Sequence, residues 1–273
     1  MILLHRHRIS IFAVALGYVS LHVATGWTEE LRPQDDVSGT FSIVAVDPET
    51  GECGAAVASK YPDVGKVVPY VRSGVGAFCT QHWHHPPWGE KALDLLESGH
   101  GPEEILGLLL KEDEHQDKRQ LAIIDMRGRA ANRNPADADP SGIYWGAMSG
   151  RFYACQGNTL AGRDVIVAMA KAYEETSGSL TDRLLAALVA ADSAGGDHRG
   201  KLAAGIRVAK NGTQGIWLEL YTDGSDDAVQ DLLKKYRELD HPAKGSWTKL
   251  PSAASRDPQK QRQDTRTKSL SAP

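Results

Sequence analysis

The chain has 273 residues, and its 31 Lys and Arg against 35 Asp and Glu leave a formal net charge of −4. Hydrophobic residues make up 41% and charged residues 24%, which is typical of a globular protein long enough to bury a core. A near-balanced charge and a pI of about 6.2 argue against a nucleic-acid binder. Three Cys are too few for a disulfide scaffold, so packing must stabilise the fold.

Residues 1–26 have the pattern of a secretory signal peptide. Residues 1–8 carry two Arg and no acidic residue, and residues 9–24 are predominantly apolar. The apolar run is short for a membrane-spanning helix, and the small residues from Ala24 to Gly26 offer a cleavage site. We therefore expect an exported protein, periplasmic or secreted. The alternatives are an uncleaved membrane anchor and a wrongly chosen start Met.

Polar segments flank a single predicted domain. Residues 27–39 are polar, contain Pro33 and indicate a flexible spacer. Residues 243–273 consist mainly of Lys, Arg, Gln, Ser and Pro, a composition that buries too little apolar surface to order the chain. We expect a disordered tail there. The domain is then residues 40–242.

Within that domain the predicted elements form separate runs of strands and of helices. Apolar stretches at 41–46 and 52–59 predict a hairpin across the turn from Asp47 to Gly51. The following elements are strands 67–71 and 74–80, helices 89–97 and 103–111, strands 121–125 and 130–133, helices 164–175 and 180–192, strands 201–208 and 215–221, and helix 227–240. Segregated runs favour an α+β fold, two antiparallel sheets covered by helices, over a parallel doubly wound sheet.

The dipeptide Gly39-Thr40 lies where the spacer meets the first predicted strand. If the chain is cut between them, Thr40 gains an α-amine that titrates at about pH 8 and can take the proton of its own hydroxyl. An N-terminal Thr paired with its amine is a known nucleophile for acyl transfer. Gly39 would leave the scissile bond unhindered. The alternative is a simple turn leading into a strand.

Six separated segments of the domain form an ordered set of motifs. They are Thr40-Phe-Ser-Ile-Val-Ala-Val-Asp-Pro-Glu-Thr-Gly51, Ala56-Val-Ala-Ser-Lys60, Gly74-Val-Gly-Ala77, Thr80-Gln81, Gln156-Gly-Asn-Thr-Leu-Ala-Gly162 and Ala194-Gly-Gly-Asp-His-Arg-Gly200. Together they resemble the DUF1028 family, a group of poorly characterised proteins placed in the N-terminal nucleophile (Ntn) hydrolase superfamily. The resemblance runs from about Thr40 to about His241.

This resemblance implies an αββα sandwich of the Ntn-hydrolase type and hydrolase activity. Typical relatives begin with Met directly followed by the equivalent of Thr40, so removal of Met exposes the nucleophile. Here a predicted signal peptide and spacer precede Thr40. A second cut between Gly39 and Thr40, by the chain itself or by another protease, is needed to expose it. Without that cut the chain has no free N-terminal nucleophile.

Two further residues are candidates for catalysis beside Thr40. Lys60 follows the second predicted strand, where its charge would lower the pKa of the amine or stabilise an oxyanion. The alternative is an exposed lysine at a strand end. Asn158 lies in a Gly-rich segment that we interpret as a turn, where its amide would donate to an oxyanion or serve only the turn.

Four residues are candidates for substrate binding. Asp197 and Arg199 lie in a Gly-rich loop between a helix and a strand, where Arg199 would hold a carboxylate with two hydrogen bonds. An internal Asp–Arg pair that braces the loop is the alternative. Thr80 and Gln81 end a predicted buried strand, and we expect them to line the same cleft.

The segment His82 to Trp88 contains three His, two Trp and two Pro. His is a common zinc ligand, but neighbouring side chains on a strand point apart, so we expect an aromatic loop at the cleft edge and no metal. No phosphate loop or dinucleotide motif is present, and we expect no cofactor. We expect Cys53, Cys79 and Cys155 to be buried and inert, although an oxidising compartment would allow one pair to join.

The leading hypothesis is an exported Ntn-type amidohydrolase that acts on a small or peptide-like substrate. The alternative is a non-catalytic αββα ligand-binding module that uses the loop from His82 to Trp88. A metal-dependent hydrolase built on His82 and His84 is a third option. We expect no nucleic-acid partner, and membrane contact only if the N-terminal segment stays uncleaved. A homo-oligomer is compatible with the sequence.

Overall fold

The structure is a computed structural model that describes residues 39–135 and 143–241. The predicted signal peptide, residues 1–26, and the predicted tail, residues 243–273, lie outside the described residues, as does the spacer before Gly39. In the part of the chain that is described, no helix is long and apolar enough to cross a membrane.

The strands of the described residues form two antiparallel sheets. They are β1 (Thr40–Asp47), β2 (Glu52–Ser59), β3 (Pro69–Arg72), β4 (Gly76–His82), β5 (Arg119–Asp125), β6 (Ala130–Arg133), β7 (Tyr144–Gly150), β8 (Tyr153–Leu160), β9 (Ala203–Lys210) and β10 (Leu218–Thr222). One sheet has the order β10-β9-β2-β1-β8-β7, and the other has the order β3-β4-β5-β6. Strand β1 therefore lies near the middle of the larger sheet, between β2 and β8.

Helices cover the outer face of each sheet, except the short helix at Val64–Val67, which packs Val64 into the core between the sheets. They are α1 (Val64–Val67), α2 (Pro87–Glu97), α3 (Pro102–Leu110), α4 (Asp164–Glu175), α5 (Leu180–Ser193) and α6 (Ala228–Glu238), with a short 3-10 helix at Gln116–Lys118. Helices α4, α5 and α6 share one hydrophobic core with the six-stranded sheet, and α2 and α3 share another with the four-stranded sheet. The predicted αββα sandwich of two antiparallel sheets is confirmed.

The alternation of side chains along β1 shows how the layers are built. Phe41, Ile43 and Ala45 face the helices, whereas Val44 and Val46 face the second sheet. Because side chains alternate with a period of two along a strand, a strand buried on both faces is mostly apolar. Thr40 and Ser42 share the inward face with Val44, so they place polar groups between the two sheets.

The boundaries of most predicted elements are correct to within a few residues, but β7 and β8 were not predicted. The segment around Asn158 was interpreted as a turn, and it is instead part of β8, which pairs with β1 on one side and β7 on the other. Gly157 and Asn158 have low intrinsic strand propensity. Pairing on both sides overrides that local preference. The predicted strand at 67–71 also begins later, since Val64–Val67 is a short helix.

Candidate active site

Thr40 is the first residue of β1 and is fully buried. It lies directly opposite Ser59 of β2 on one side and Asn158 of β8 on the other. Its side chain faces the space between the sheets. There the apolar packing gives way to buried polar residues, which are Ser42, Ser59, Gln81, Gln120, Gln156 and Asn158. The polar end of the inter-sheet space is the candidate site.

The Ser59 hydroxyl links the Thr40 hydroxyl to the carbonyl group of Gly39. Thr40 Oγ1 donates to Ser59 Oγ over 3.0 Å, and Ser59 Oγ donates to the Gly39 oxygen over 2.8 Å. The Tyr61 N–H donates to the same Ser59 oxygen at 2.9 Å. A hydroxyl has one proton and two lone pairs, and these three contacts use all of them. The proton of Ser59 therefore points at the carbonyl of the Gly39–Thr40 peptide bond.

Asn158 contacts two backbone nitrogens next to that carbonyl, those of Gly39 and Thr40. Its Oδ1 accepts from the N–H of Gly39 and, at 3.3 Å, from the N–H of Thr40. Its Nδ2 donates to Gln120 Oε1 over 2.8 Å. In this geometry Asn158 accepts from the Thr40 nitrogen, whereas the sequence predicts that its amide donates to an oxyanion or serves only a turn. The donor to the carbonyl oxygen is Ser59.

Two glutamines of the smaller sheet complete the network. Gln81 Nε2 donates to the Thr40 carbonyl oxygen at 3.2 Å and to Gln120 Oε1 at 2.7 Å. Gln120 Nε2 donates to Asn134 Oδ1 and to the Gly157 oxygen, each at 2.9 Å. A buried network of hydrogen-bonded amides of this kind is rigid and geometrically specific. It fixes the position of Thr40 between the sheets, and the predicted site residue Gln81 is part of it.

Asp197 and Arg199 form an internal pair next to Gly39. The Asp197 carboxylate accepts from the backbone N–H and the guanidinium of Arg199 at 3.0 to 3.2 Å, and from the Lys60 N–H at 3.2 Å. Burial raises the pKa of Asp197, while the hydrogen bonds from Arg199 act in the opposite direction. Gly39 packs so closely that a Cβ on it would lie 2.0 Å from Asp197 Oδ2.

Lys60 and Thr80, two predicted site residues, lie apart from this network. The side chain of Lys60 is exposed, and it is the Lys60 backbone that contacts Asp197. Thr80 is buried, but its Oγ1 accepts from the His85 N–H at 3.1 Å on the face of β4 that carries Phe78. Gln81, the next residue, faces Thr40. Alternation along β4 therefore separates two residues that we expected in one cleft.

The loop from His82 to Trp88 packs its aromatic rings against the protein. His85 stacks on Trp88 with ring centres 4.8 Å apart, and His82 meets the edge of Trp145 at 4.7 Å. Arg119, which pairs with Asp113, lies 5.1 Å from the Trp88 ring. Among the described residues, no group of three or more His, Cys, Asp and Glu is placed to hold a metal ion. The loop therefore buttresses the start of α2.

The cysteines are free thiols buried in the cores of the sandwich. Cys53 and Cys79 lie between the sheets, and burial raises the pKa of each to about 12. Cys155 lies under the helices, and burial raises its pKa well above the ordinary value. A thiol must ionise to act as a nucleophile, so these positions disfavour reaction.

Two features of the site were missed by sequence reasoning: the Ser59 hydroxyl and the Gln120 amide. Ser59 had a usable signal, because a hairpin closed by the turn from Asp47 to Gly51 places Thr40 opposite Ser59. Gln120 had none, because β4 and β5 are separated in sequence by α2 and α3.

The fold and site define a class of αββα protein with a threonine at the start of a central strand. Comparison with known proteins agrees with this assignment. The profile of DUF1028, described as a family of unknown function, matches residues 40–232, and the chain belongs to that family. The crystal structure of protein SPO2555 from Silicibacter pomeroyi, also assigned to DUF1028, is similar with a TM-score of 0.67 and 31% identity. That likeness covers 73% of this chain and 85% of the other. No curated protein matches the chain.

Proposed function

We propose that the protein is an exported Ntn-type amidohydrolase whose nucleophile is Thr40 with a free α-amine. The observation that supports this most is the set of contacts around one peptide bond. The Thr40 hydroxyl, the Thr40 nitrogen and the Gly39 carbonyl oxygen are each hydrogen-bonded to a buried polar side chain. An ordinary turn into a strand does not require such a network, whereas acyl transfer at this bond does.

The same contacts support cleavage of the Gly39–Thr40 bond by the chain itself. Thr40 Oγ1 bonds to the Gly39 carbonyl carbon while its proton passes through the Ser59 hydroxyl to the carbonyl oxygen. The C–N bond then breaks as that proton moves to the Thr40 nitrogen, which leaves an ester between Gly39 and Thr40. A water molecule hydrolyses the ester to a Gly39 carboxylate, and the Thr40 amine and hydroxyl are both free.

Turnover of a substrate then repeats this chemistry on an external amide. The Thr40 amine takes the hydroxyl proton as Oγ1 attacks the substrate carbonyl carbon, and it delivers the proton to the leaving nitrogen. Water activated by the same amine hydrolyses the Thr40 ester and restores the hydroxyl. Asn158 Oδ1 orients the amine, and the Ser59 hydroxyl donates to the carbonyl oxygen as negative charge develops there.

The experiment uses a chain that starts at Thr40 together with its Thr40→Ala and Thr40→Ser variants. Each is incubated with a β-lactone, an electrophile that acylates an activated hydroxyl without the need for a known substrate. We expect one adduct on Thr40 by peptide mass mapping, a slower adduct in Thr40→Ser and none at this position in Thr40→Ala. Release of nitroaniline from a panel of acyl nitroanilides is measured in parallel.

The control is a Ser59→Ala chain that retains Gly39, in which the bond stays intact, and it is compared with a Ser59→Ala chain that starts at Thr40. It has the hydroxyl but no free amine, so the proposal predicts neither adduct nor turnover. Equal labelling of the two chains would show that the amine has no role. No adduct on the chain that starts at Thr40 would contradict the proposed nucleophile and favour the non-catalytic binding module.

A further inference from the structure

In the uncut chain, Gly39 is the acyl group that Thr40 Oγ1 attacks, and it therefore occupies the acyl subsite. Cleavage at Thr40 passes through an ester between the Gly39 acyl group and Thr40 Oγ1. The acyl-enzyme formed from an external amide contains the same ester bond on the same oxygen. The residues that contact Gly39 in the uncut chain are therefore the residues that contact the acyl half of a substrate, provided the proposed function holds.

Three parts of Gly39 have specific neighbours. Its N–H donates to Asn158 Oδ1, and its carbonyl oxygen accepts from Ser59 Oγ at 2.8 Å. Its α-carbon lies against the Asp197–Arg199 pair, where an L side chain would place its Cβ 2.0 Å from Asp197 Oδ2 and 2.1 Å from Arg199 Nη2. Contacts this short do not occur between real atoms, so one of the two sides must move.

The Asp197 carboxylate is poorly placed to move. Its side chain is fully buried and accepts hydrogen bonds from Arg199 and from the Lys60 backbone. Displacing it breaks these hydrogen bonds, which is unfavourable for a buried carboxylate. Gly39 also has φ +109°, a backbone conformation that L side chains rarely adopt. The contact with Asp197 therefore excludes an L side chain, and the backbone conformation also disfavours one.

We infer that the acyl subsite of this protein is specific for a glycyl group, so that its substrates are amides of glycine or of an N-acylated glycine. The α-carbon without a side chain fits against Asp197 and Arg199. The glycyl N–H donates to Asn158, and the glycyl carbonyl is polarised by Ser59. The leaving amine is not restricted by these contacts.

Binding and rate measurements on the chain that starts at Thr40 test this inference separately. N-acetylglycine and N-acetyl-L-alanine are titrated by NMR as analogues of the acyl product. Their nitroanilides are compared by kcat/KM. We expect the glycyl compounds to be favoured at least about tenfold in both measurements, a ratio that corresponds to about 1.4 kcal/mol.

The outcomes distinguish the inference from the proposed function. Equal binding of the two acids, or equal hydrolysis of the two nitroanilides, overturns the glycyl specificity and leaves the amidohydrolase proposal intact. Preferential binding of N-acetylglycine without any hydrolysis supports the subsite and contradicts the enzyme.

Asp197→Ala tests whether the Asp197 carboxylate is responsible for the preference for glycine. Removing the carboxylate opens the space beside the glycyl α-carbon and releases the Arg199 guanidinium that Asp197 holds there, so the preference should fall from about tenfold to within about threefold. The control is Asp125→Ala, which removes another mostly buried carboxylate paired with an Arg, at the end of β5 away from Gln120. Discrimination retained in Asp197→Ala, measured on correctly folded protein, would contradict the assigned role of this residue.

Discussion

Ser59→Ala is the substitution that most directly tests whether the Ser59 hydroxyl connects the Thr40 hydroxyl to the Gly39 carbonyl oxygen. It removes the only proton that Ser59 directs at the Gly39 carbonyl and the acceptor of the Thr40 hydroxyl. Loss of one donor to a developing oxyanion typically slows acyl transfer by about 10²–10³-fold. Loss of the buried hydroxyl should also reduce the free energy of unfolding by about 1–2 kcal/mol. We therefore expect a folded chain that cuts itself at least about a hundredfold more slowly.

The assay is a pulse of cell-free synthesis of the full chain followed by a chase, with the intact mass read at each time point. Ser42→Ala is the matched control, because Ser42 is also a buried hydroxyl on the inter-sheet face and bonds to Gln81 Oε1 at 2.6 Å without contacting Gly39. It should lose similar stability and keep the cleavage rate. Equal cleavage rates in the two variants would refute the role of Ser59.

Three further predictions follow from the buried groups. Gln120→Leu removes the acceptor of the Gln81 and Asn158 amides and a donor to the Gly157 oxygen, and should lower the free energy of unfolding by about 1–3 kcal/mol in denaturant titrations. A loss under about 1 kcal/mol would contradict the network. Burial raises the pKa of Asp197, so the folded chain binds this proton more tightly than the unfolded chain. The free energy of unfolding should therefore fall as the pH rises from about 4 through the raised value, and Asp197→Asn should lack this fall. An aromatic disulfide reagent should modify no thiol of the folded chain at pH about 8 and three thiols after denaturation, and reaction in the folded state would contradict the burial of Cys53, Cys79 and Cys155.

The layers of the fold follow from patterns that are local in sequence. The hairpin of β1 and β2 and helices α4 and α5 were predicted to within about a residue, because apolar periodicity and turn residues act over short distances. Strand β8 was missed because its central residues favour turns, and only the ladders on both sides make it a strand. Local propensity is a weak guide wherever strand pairing is long-range.

The candidate site was predictable only in part for the same reason. Thr40 and Gln81 were identified from the chain and belong to one network in the structure. The contact between Gly39 and Asp197 joins residues 158 positions apart, and no sequence pattern within either segment points to the other. The assignment of Asn158 as an acceptor depends on Gln120, which occupies its amide nitrogen.

The central claim is that Thr40 becomes an N-terminal residue, and the most direct test is the N-terminus of the protein isolated from its native host. Intact mass and sequencing of the terminal peptide identify it. The proposed function predicts a chain that begins at Thr40 with a free amine. A mature chain that retains Gly39 would contradict it, because the amine that must act as the base would still be part of a peptide bond.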